Sequence, residues 1–451
     1  MTLNNSELAG EKTLTCSNNQ KTPLFQEQQK ISLYKALKQR SLQHHPKIFG
    51  RRCIVPARSI LPFYKSRSDK VYQFIFPDNE FCTPFICEFA HRTHDGNLLA
   101  VGDEDGRISL LRTDKNNEQN NLQFHHSFYC HRHALTDVKW SPDDTMLITA
   151  STDKLIRLWD MNIQTSLAEF RGHGDIVKSV NWHPTNQNLL VSASKDGSYR
   201  IWDTRYKQRR PENPGDDKSI PIYDSIKHEP FAHSNITSPA ITSSSKTTKK
   251  RTYLSSITNT RKKPTSGPQP LLIRSVTCAV FNGQHEEQVI TSGSTDGAIK
   301  LWDIRIGRKP SVLASTIFSS PETGKRNGIA DMKLANDGKR LFSCCMDNTV
   351  YMHYLTDLTR PAKKFRDPHY KVGGFDIRIS ISSDDRFLLS GSFDKDVFAW
   401  DLEDPISERE ASYHFQGHQK KVIGVSWHKK NNSQFASCSE DFTTRIWQID
   451  H

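Results

Sequence analysis

Nothing in the 451 residues approaches the ~20 consecutive apolar residues that cross a bilayer, and the opening MTLNNSELAGEKTLTC lacks the apolar run of a secretory leader. An integral membrane or secreted protein is therefore not expected. Apolar residues are scarce overall. They make up 35% of the chain and only about 40% with the 22 glycines added, below the ~45–50% of an ordinary compact domain, so part of the chain is expected to lie outside any core. Paired cysteine spacings are missing too. The nine cysteines are an odd number without a zinc-ribbon or redox CxxC, which reads as free thiols in a reducing compartment. The phosphate loop GxxxxGK[ST], the dinucleotide GxGxxG, the GxSxG elbow, HExxH and the kinase set are all absent, and no catalytic residue or cofactor is expected. Cys82, Cys87, His91 and His94 are residue types that zinc accepts, but Cys87 falls inside the strand-like PFICEF. That would divide the ligands between two faces, so no metal site is expected.

A shortage of charge on the part that folds removes another class. The formal charge is +12, yet residues 1–84 carry 13 Lys+Arg against 6 Asp+Glu, and residues 206–270 carry 12 against 5. The other 302 residues carry 37 against 39. A basic nucleic-acid groove would place its excess on the folded body, so direct sequence-specific nucleic-acid binding is not expected.

What is present is a repeat. All eight tryptophans lie in residues 85–205 and 271–451, and Trp140 with Trp159, Trp182 with Trp202, and Trp427 with Trp447 are separated by 19, 20 and 20 residues. The units align on a strand end of small residues, an Asp, and an alternating strand ending in an aromatic: TASTDKLIRLWD, SASKDGSYRIWD, TSGSTDGAIKLWD, SGSFDKDVFAWD and SCSEDFTTRIWQ, with weaker copies VGDEDGRISLL and SCCMDNTVYMHY. The aspartates are Asp105, Asp153, Asp196, Asp296, Asp347, Asp394 and Asp441, at steps of 48, 43, 100, 51, 47 and 47. Looping out residues 206–270 leaves 302 residues in seven units of about 43, the size of a four-stranded propeller blade. The fold expected is all-β, a seven-bladed β-propeller. Residues 71–205 supply a closing strand and blades one to three, and residues 271–451 supply blades four to seven.

The propeller needs a strand from its other end to complete blade seven. Val71-Tyr72-Gln73-Phe74-Ile75-Phe76 is the expected closing strand, and the chain is expected to carry no tail beyond the last blade. Residues 1–70 form an extension with a helix expected near 24–43, where Ile31, Leu33, Tyr34 and Leu37 make an apolar stripe. Residues 206–270, dominated by Ser, Thr, Pro and Lys, are expected to be a disordered insert. Its clusters Lys249-Lys250-Arg251 and Arg261-Lys262-Lys263 fit recognition for nuclear import, so the chain is expected to be nuclear.

These units resemble WD-repeat β-propellers, in which a loop His, a Ser or Thr, the turn Asp and the strand Trp form a buried hydrogen-bonded set. Blade three shows His173, Ser192, Asp196 and Trp202, and blade seven shows His418, Ser437, Asp441 and Trp447. Blade four lacks the His, and blades one and five lack the Trp. Two neighbouring units end Trp-Asp-x-Arg: Trp202-Asp203-Thr204-Arg205 and Trp302-Asp303-Ile304-Arg305. Each Arg is expected in the turn after the third strand, at the narrow end of the disc. A pair on adjacent blades resembles the substrate receptors of the cullin-4 ubiquitin ligase.

The resemblance narrows to the denticleless family through LYKALKQR, HALTDVKW, VSASKDGSYRIWDTR followed by a basic Ser/Lys insert, SVTCAVF, SGSTDGAIKLWDIR and SSDDRFLLSGSFDK. It implies a non-catalytic receptor. Its partners would be cullin-4, the ligase adaptor (damaged-DNA-binding protein large subunit), and replication-licensing and cell-cycle proteins bound to the sliding clamp on DNA. The adaptor site implied comprises Trp202, Asp203, Arg205, Trp302, Asp303 and Arg305, with Leu33 and Leu37 as a second contact. The other face would read the substrate. Glu104, Lys195, Phe393 and Glu440, each just before a turn aspartate, are the expected substrate-binding residues, with Glu104 and Glu440 meeting at closure to accept a basic side chain. The competing expectation is a propeller scaffold for chromatin or histone tails with no ligase link.

Overall fold

The computed structural model describes residues 60–75, 80–114, 126–206, 208–209, 220–230, 232–233, 275–305, 310–319, 324, 326–430 and 432–449. Seven sheets, antiparallel in their main strands, succeed one another around a ring. The expected seven-bladed all-β propeller is the fold observed, and the only helical elements among the described residues are short 3-10 turns such as Leu61–Phe63 and Pro405–Glu408. None is long and apolar enough to cross a membrane. The helix expected near 24–43 lies outside the described residues.

The blades pack face to face, so their strands are buried on both sides. In blade three, Leu189–Ser194 is buried in all but its first residue, the flanking Val177–Trp182 and Tyr199–Asp203 leave Lys178 and Arg200 less buried, and Trp202 is fully buried. Removing an indole of roughly 150–250 Å² from water contributes roughly 4–6 kcal/mol at about 25 cal/mol per Å². The turn between the second and third strands is tight. Gly197 and Gly297 take φ of 85° and 58° there, where a side chain would be strained.

Blade seven closes as a composite. Thr443–Ile449 pairs with Val71–Gln73 at one end and with Tyr64–Lys65 at the other. The closing strand was expected as Val71 to Phe76. The ladder actually stops at Gln73, and the rest of the edge is covered by Tyr64, six residues before the end of the expected extension, packed on Phe415, Trp427 and Phe435.

The segment 206–270 departs from expectation where it is described. Every blade needs a fourth strand, and blade three takes Lys227–Glu229, paired with Tyr199–Asp203. Looping out all 65 residues therefore removed a strand. Ile222–Tyr223 runs parallel to Thr165–Phe170 of blade two and pairs with Gln208–Arg209, extending that blade to six strands. Lys249, Lys250, Arg251, Arg261, Lys262 and Lys263 lie outside the described residues.

The centre of the ring is polar. The inner strands do not pair with one another; instead, side chains of one accept from the backbone of the next. Asp137 accepts from Val180 N at 3.0 Å, Ser179 from Ala279 N at 3.1 Å, Asp331 from Ile379 N at 3.0 Å, Ser380 from Trp427 N at 2.9 Å and Ser426 from Phe89 N at 3.2 Å. Arg378 ties across the axis. Its Nη1 lies 3.3 Å from Asp331 Oδ1, and its Nη2 donates to the carbonyls of Thr136 at 2.8 Å and Lys178 at 3.1 Å, in blades two and three. Burial opposes its charge, and Asp331 and Asp137 more than offset that, holding its pKa above the usual arginine value. Lys139 and Lys429 do the same for Glu88, at 3.5 and 2.6 Å. Against its burial, they hold that carboxyl well below the ordinary range.

Blade five carries a fault with a measurable consequence. His353 occupies the position of the third-strand tryptophan, is fully buried, and has no hydrogen-bond partner among the described residues at either ring nitrogen. Ser343, where other blades place the hydroxyl that accepts from the indole, is likewise unpartnered there. Burial lowers the His353 pKa to about 4 from 6.5. The unfolded chain takes up this proton first, so the stability present above pH 6.5 is lost as pH falls toward 4, to a total of about 3 kcal/mol. His353→Leu is expected to remove that share of the loss. Melting midpoints measured from pH 7 to 4 would fall less steeply in the variant, and parallel curves for the two proteins would refute the assignment.

Candidate functional site

The turns after the third strands of blades three and four carry the paired Trp-Asp-x-Arg sequences. Their tryptophans face inward. Trp202 Nε1 donates to Ser192 Oγ at 2.9 Å, and Trp302 Nε1 to Thr291 Oγ1 at 2.8 Å. Both indoles are buried, so a partner meets only the turns. Asp203 accepts from Arg205 N at 2.8 Å, from its Nε at 3.0 Å and from its Nη2 at 2.8 Å. Asp303 repeats this with Arg305 N at 3.0 Å, Nε at 2.9 Å and Nη2 at 2.5 Å. The hydrogen bond from Arg205 is the main cause that holds the Asp203 carboxyl below its ordinary value. The two arginine side chains remain 60% and 51% exposed, so each guanidinium is aimed by its own aspartate and still reaches solvent. Arg305 also lies 3.8 Å from Glu287, on the rim of a depression of about 440 Å³ beside the half-exposed Leu313.

A link between the two turns is invisible in the repeat pattern. Lys227, in blade three's outer strand opposite Ile201, donates to the carbonyl of Ile304 at 2.5 Å and also to that of Arg305. The second turn is thus fastened to the strand that flanks the first. No motif marks Lys227, because it lies in a segment whose composition reads as unstructured.

Buried sets at the other sheet end, in the turns between the second and third strands, recur in four blades. His173 bridges Asp196 at 3.0 Å and Ser192 at 2.7 Å, and His418 bridges Asp441 at 2.9 Å and Ser437 at 2.7 Å. Blade two does so through His131, Asp153 and Thr149. Blade four, expected to lack its histidine, has one: His233 reaches Asp296 at 2.8 Å and Thr291 at 2.8 Å. It is 63 residues from its aspartate instead of the 23 seen in blade three, which hid it from the spacing argument. Desolvation lowers the pKa of all four histidines, leaving each a neutral bridge. Blade one shifts the turn carboxylate to Asp103, not Asp105: it accepts from Arg107 N and pairs with Arg107 Nε, both at 2.9 Å.

On the opposite turns, the residues before the aspartates share one backbone bond. Glu104 N donates to Thr83 O, Lys195 N to Ile176 O, Phe393 N to Lys371 O and Glu440 N to Lys421 O, at 2.9 to 3.1 Å. Their side chains differ. Phe393 is 54% exposed. Glu104 caps its own loop, accepting from Thr83 N at 3.0 Å, and Glu440 lies 3.6 Å from Lys421 Nζ. Each carboxylate therefore has a partner within its own blade. Leu33 and Leu37 lie outside the described residues. Among those described, no cluster of His, Cys, Asp or Glu could hold a metal ion, and the seven described cysteines are buried and free.

Comparison with known proteins agrees with this geometry. The WD domain, G-beta repeat, matches residues 122–160, 164–203, 272–303, 318–353, 369–401 and 409–448. The chain is 30% identical over 373 residues to Denticleless protein homolog of Danio rerio, covering 81% of this chain and 52% of the relative. It is 28% identical over 375 residues to that of Homo sapiens, covering 81% and 47%. Protein lethal(2)denticleless of Drosophila melanogaster is 27% identical over 376 residues, covering 81% and 44%. The chain spans about half the length of the curated relatives it matches. With its seven blades, its four buried histidine sets and these relatives, the chain belongs to the denticleless family of WD-repeat proteins.

Proposed function

We propose that this chain is a non-catalytic, nuclear substrate receptor of a cullin-4 RING ubiquitin ligase. It would recruit replication-licensing and cell-cycle proteins bound to the sliding clamp on DNA. The observation that carries the reading is the pair of exposed, aspartate-aimed guanidiniums on adjacent blades, Arg205 and Arg305, with their turns joined through Lys227. Arginine in that setting offers a rigid fork to acceptors on a partner, here the damaged-DNA-binding adaptor that connects to cullin-4. Leu33 and Leu37 are proposed as the second adaptor contact, and the basic clusters 249–251 and 261–263 as the import signal.

Ubiquitin transfer needs the substrate held near the charged ligase, and a receptor supplies proximity without an acid, base or nucleophile of its own. Phe393 and Lys195, on the face opposite the arginines, are proposed to contact substrate, with Glu104 and Glu440 at the seam. The fold itself calls for no membrane contact and no sequence-specific nucleic-acid contact. The test is co-purification of the tagged chain from nuclear extract. Retention of the adaptor and cullin-4 is expected; recovery of histones without either would replace the receptor with a chromatin scaffold.

A further inference from the structure

A cavity of about 530 Å³ opens beside blade two, at the turn between its second and third strands. That turn is at the opposite sheet end from the Trp-Asp-x-Arg turns. The cavity's charged lining is Arg132, Lys154, Arg157 and Arg171 facing Asp153 and Glu169. Both carboxylates are already engaged. Asp153 is held by His131 at 2.9 Å, and Glu169 accepts from Arg157 Nε and Nη2 at 3.0 and 2.9 Å and also from Arg171. Arg157 is further fixed by the carbonyl of Cys130 at 2.6 Å. The Arg132 and Lys154 side chains are exposed and have no ion pair or hydrogen bond among the described residues. The cavity therefore holds two pre-oriented guanidiniums on one carboxylate and two unmatched cations.

A further observation indicates a built site. Its apolar wall, Leu155 with Ile220 and Ile222, is completed by the strand that blade two gains from the interrupted segment, fastened through Glu169 N to Pro221 O at 3.0 Å and Arg171 N to Tyr223 O at 3.2 Å. The same turn holds Lys154 at a φ of 74°, as it holds Asn348, Lys395 and Phe442 at positive φ in blades five, six and seven, where blades one, three and four have Gly106, Gly197 and Gly297. Glycine is the low-strain occupant of that conformation.

We propose that this cavity binds the phosphate of a phosphorylated serine or threonine in a peptide, with an adjacent apolar side chain on Leu155, Ile220 and Ile222. A phosphate carries close to two negative charges and three acceptor oxygens, which matches the two unmatched cations, Arg132 and Lys154, in a lining of four cations and two carboxylates. A nucleic-acid backbone would need a stripe of cations along a groove, whereas these converge on one cavity with an apolar wall. The site goes beyond the receptor reading and stands whether or not the chain binds a ligase.

Fluorescence polarisation with the full chain tests it. The probe is a labelled ten-residue Gly/Ser peptide carrying Leu-phosphoserine-Leu, set against its unphosphorylated twin, with inorganic phosphate and a short oligothymidine as competitors. The phosphopeptide is expected to bind at least about 10-fold more tightly than the twin and to be displaced by phosphate. Arg132→Glu with Lys154→Glu is expected to weaken it by about 10- to 100-fold without lowering the melting midpoint. Lys154→Gly separates binding from structure, since it should raise the midpoint while weakening the phosphopeptide. Equal binding of the two peptides, an unchanged affinity in the double variant, or stronger competition by oligothymidine than by phosphate would each overturn the proposal.

Discussion

Replacing Arg378 by alanine is expected to destabilise the propeller by about 3–5 kcal/mol, because it strips the charged partner from the buried Asp331 and breaks a cross-axis tie in one step. The guanidinium lies among Asp331, Asp137 and the carbonyls of Thr136 and Lys178, contributed by blades two, three and five. After truncation, Asp331 keeps among the described residues the Ile379 N–H on its Oδ2, and no solvent path relieves a side chain that is 1% exposed. Arg378→Lys is expected to fall between, since an ammonium is a point charge that cannot span a carboxylate and two carbonyls as a planar fork does. Combining Arg378→Ala with Asp331→Asn should recover part of the loss by removing one buried charge. Thermal melts and limited proteolysis of the three proteins decide it. An alanine variant within about 1 kcal/mol of the parent would show that the polar centre contributes little to closure.

The seven-fold repeat was legible because Asp and Trp hold fixed places in the blade: Asp196 with Trp202 and Asp441 with Trp447 mark the same turn and strand. The same regularity concealed blade three. A four-stranded sheet needs Lys227–Glu229, but the strand is three residues of polar sequence inside a Ser/Thr/Pro/Lys-rich stretch, and alternation over three residues carries no signal. His233 was hidden for a related reason, since the insertion moved it far from Asp296 in sequence while leaving it adjacent in space. The central network was not legible at all. Arg378 meets Thr136 across 242 positions, and no local pattern encodes a contact of that separation.

The arginine pair was legible as a motif, and its geometry sharpens what the motif means. The tryptophans in Trp-Asp-x-Arg are spent on Ser192 and Thr291 inside the blades, and the aspartates are spent on their own arginines. What each turn presents outward is a pre-aimed guanidinium whose Nη1 makes no hydrogen bond among the described residues. The phosphopeptide cavity at blade two and the adaptor turns lie at opposite sheet ends, so changes at one should leave the other intact.

Arg205→Ala with Arg305→Ala is therefore expected to abolish co-purification with the cullin-4 adaptor while leaving the melting curve unchanged. Each arginine is more than half exposed and bonded only to carboxylates in or beside its own turn, so its removal breaks no contact between strands or blades. Exposed pairs of this kind, screened by solvent, contribute little to folding. At an interface the same side chains become desolvated, and truncating a buried arginine anchor there typically costs about 2–4 kcal/mol, roughly 30- to 1000-fold in affinity. Two such losses on one rigid face would take a nanomolar complex out of the range that survives washing. Arg205→Lys with Arg305→Lys separates charge from geometry: if the fork is what the adaptor reads, lysine should rescue little, because it cannot form the two-point bond that Asp203 and Asp303 pre-orient. Titrating purified adaptor against the three proteins gives the affinities directly. A double alanine variant that melts normally and still binds the adaptor with parental affinity would remove the ligase-receptor reading, whereas full rescue by lysine would keep the receptor and reassign the contact to charge alone.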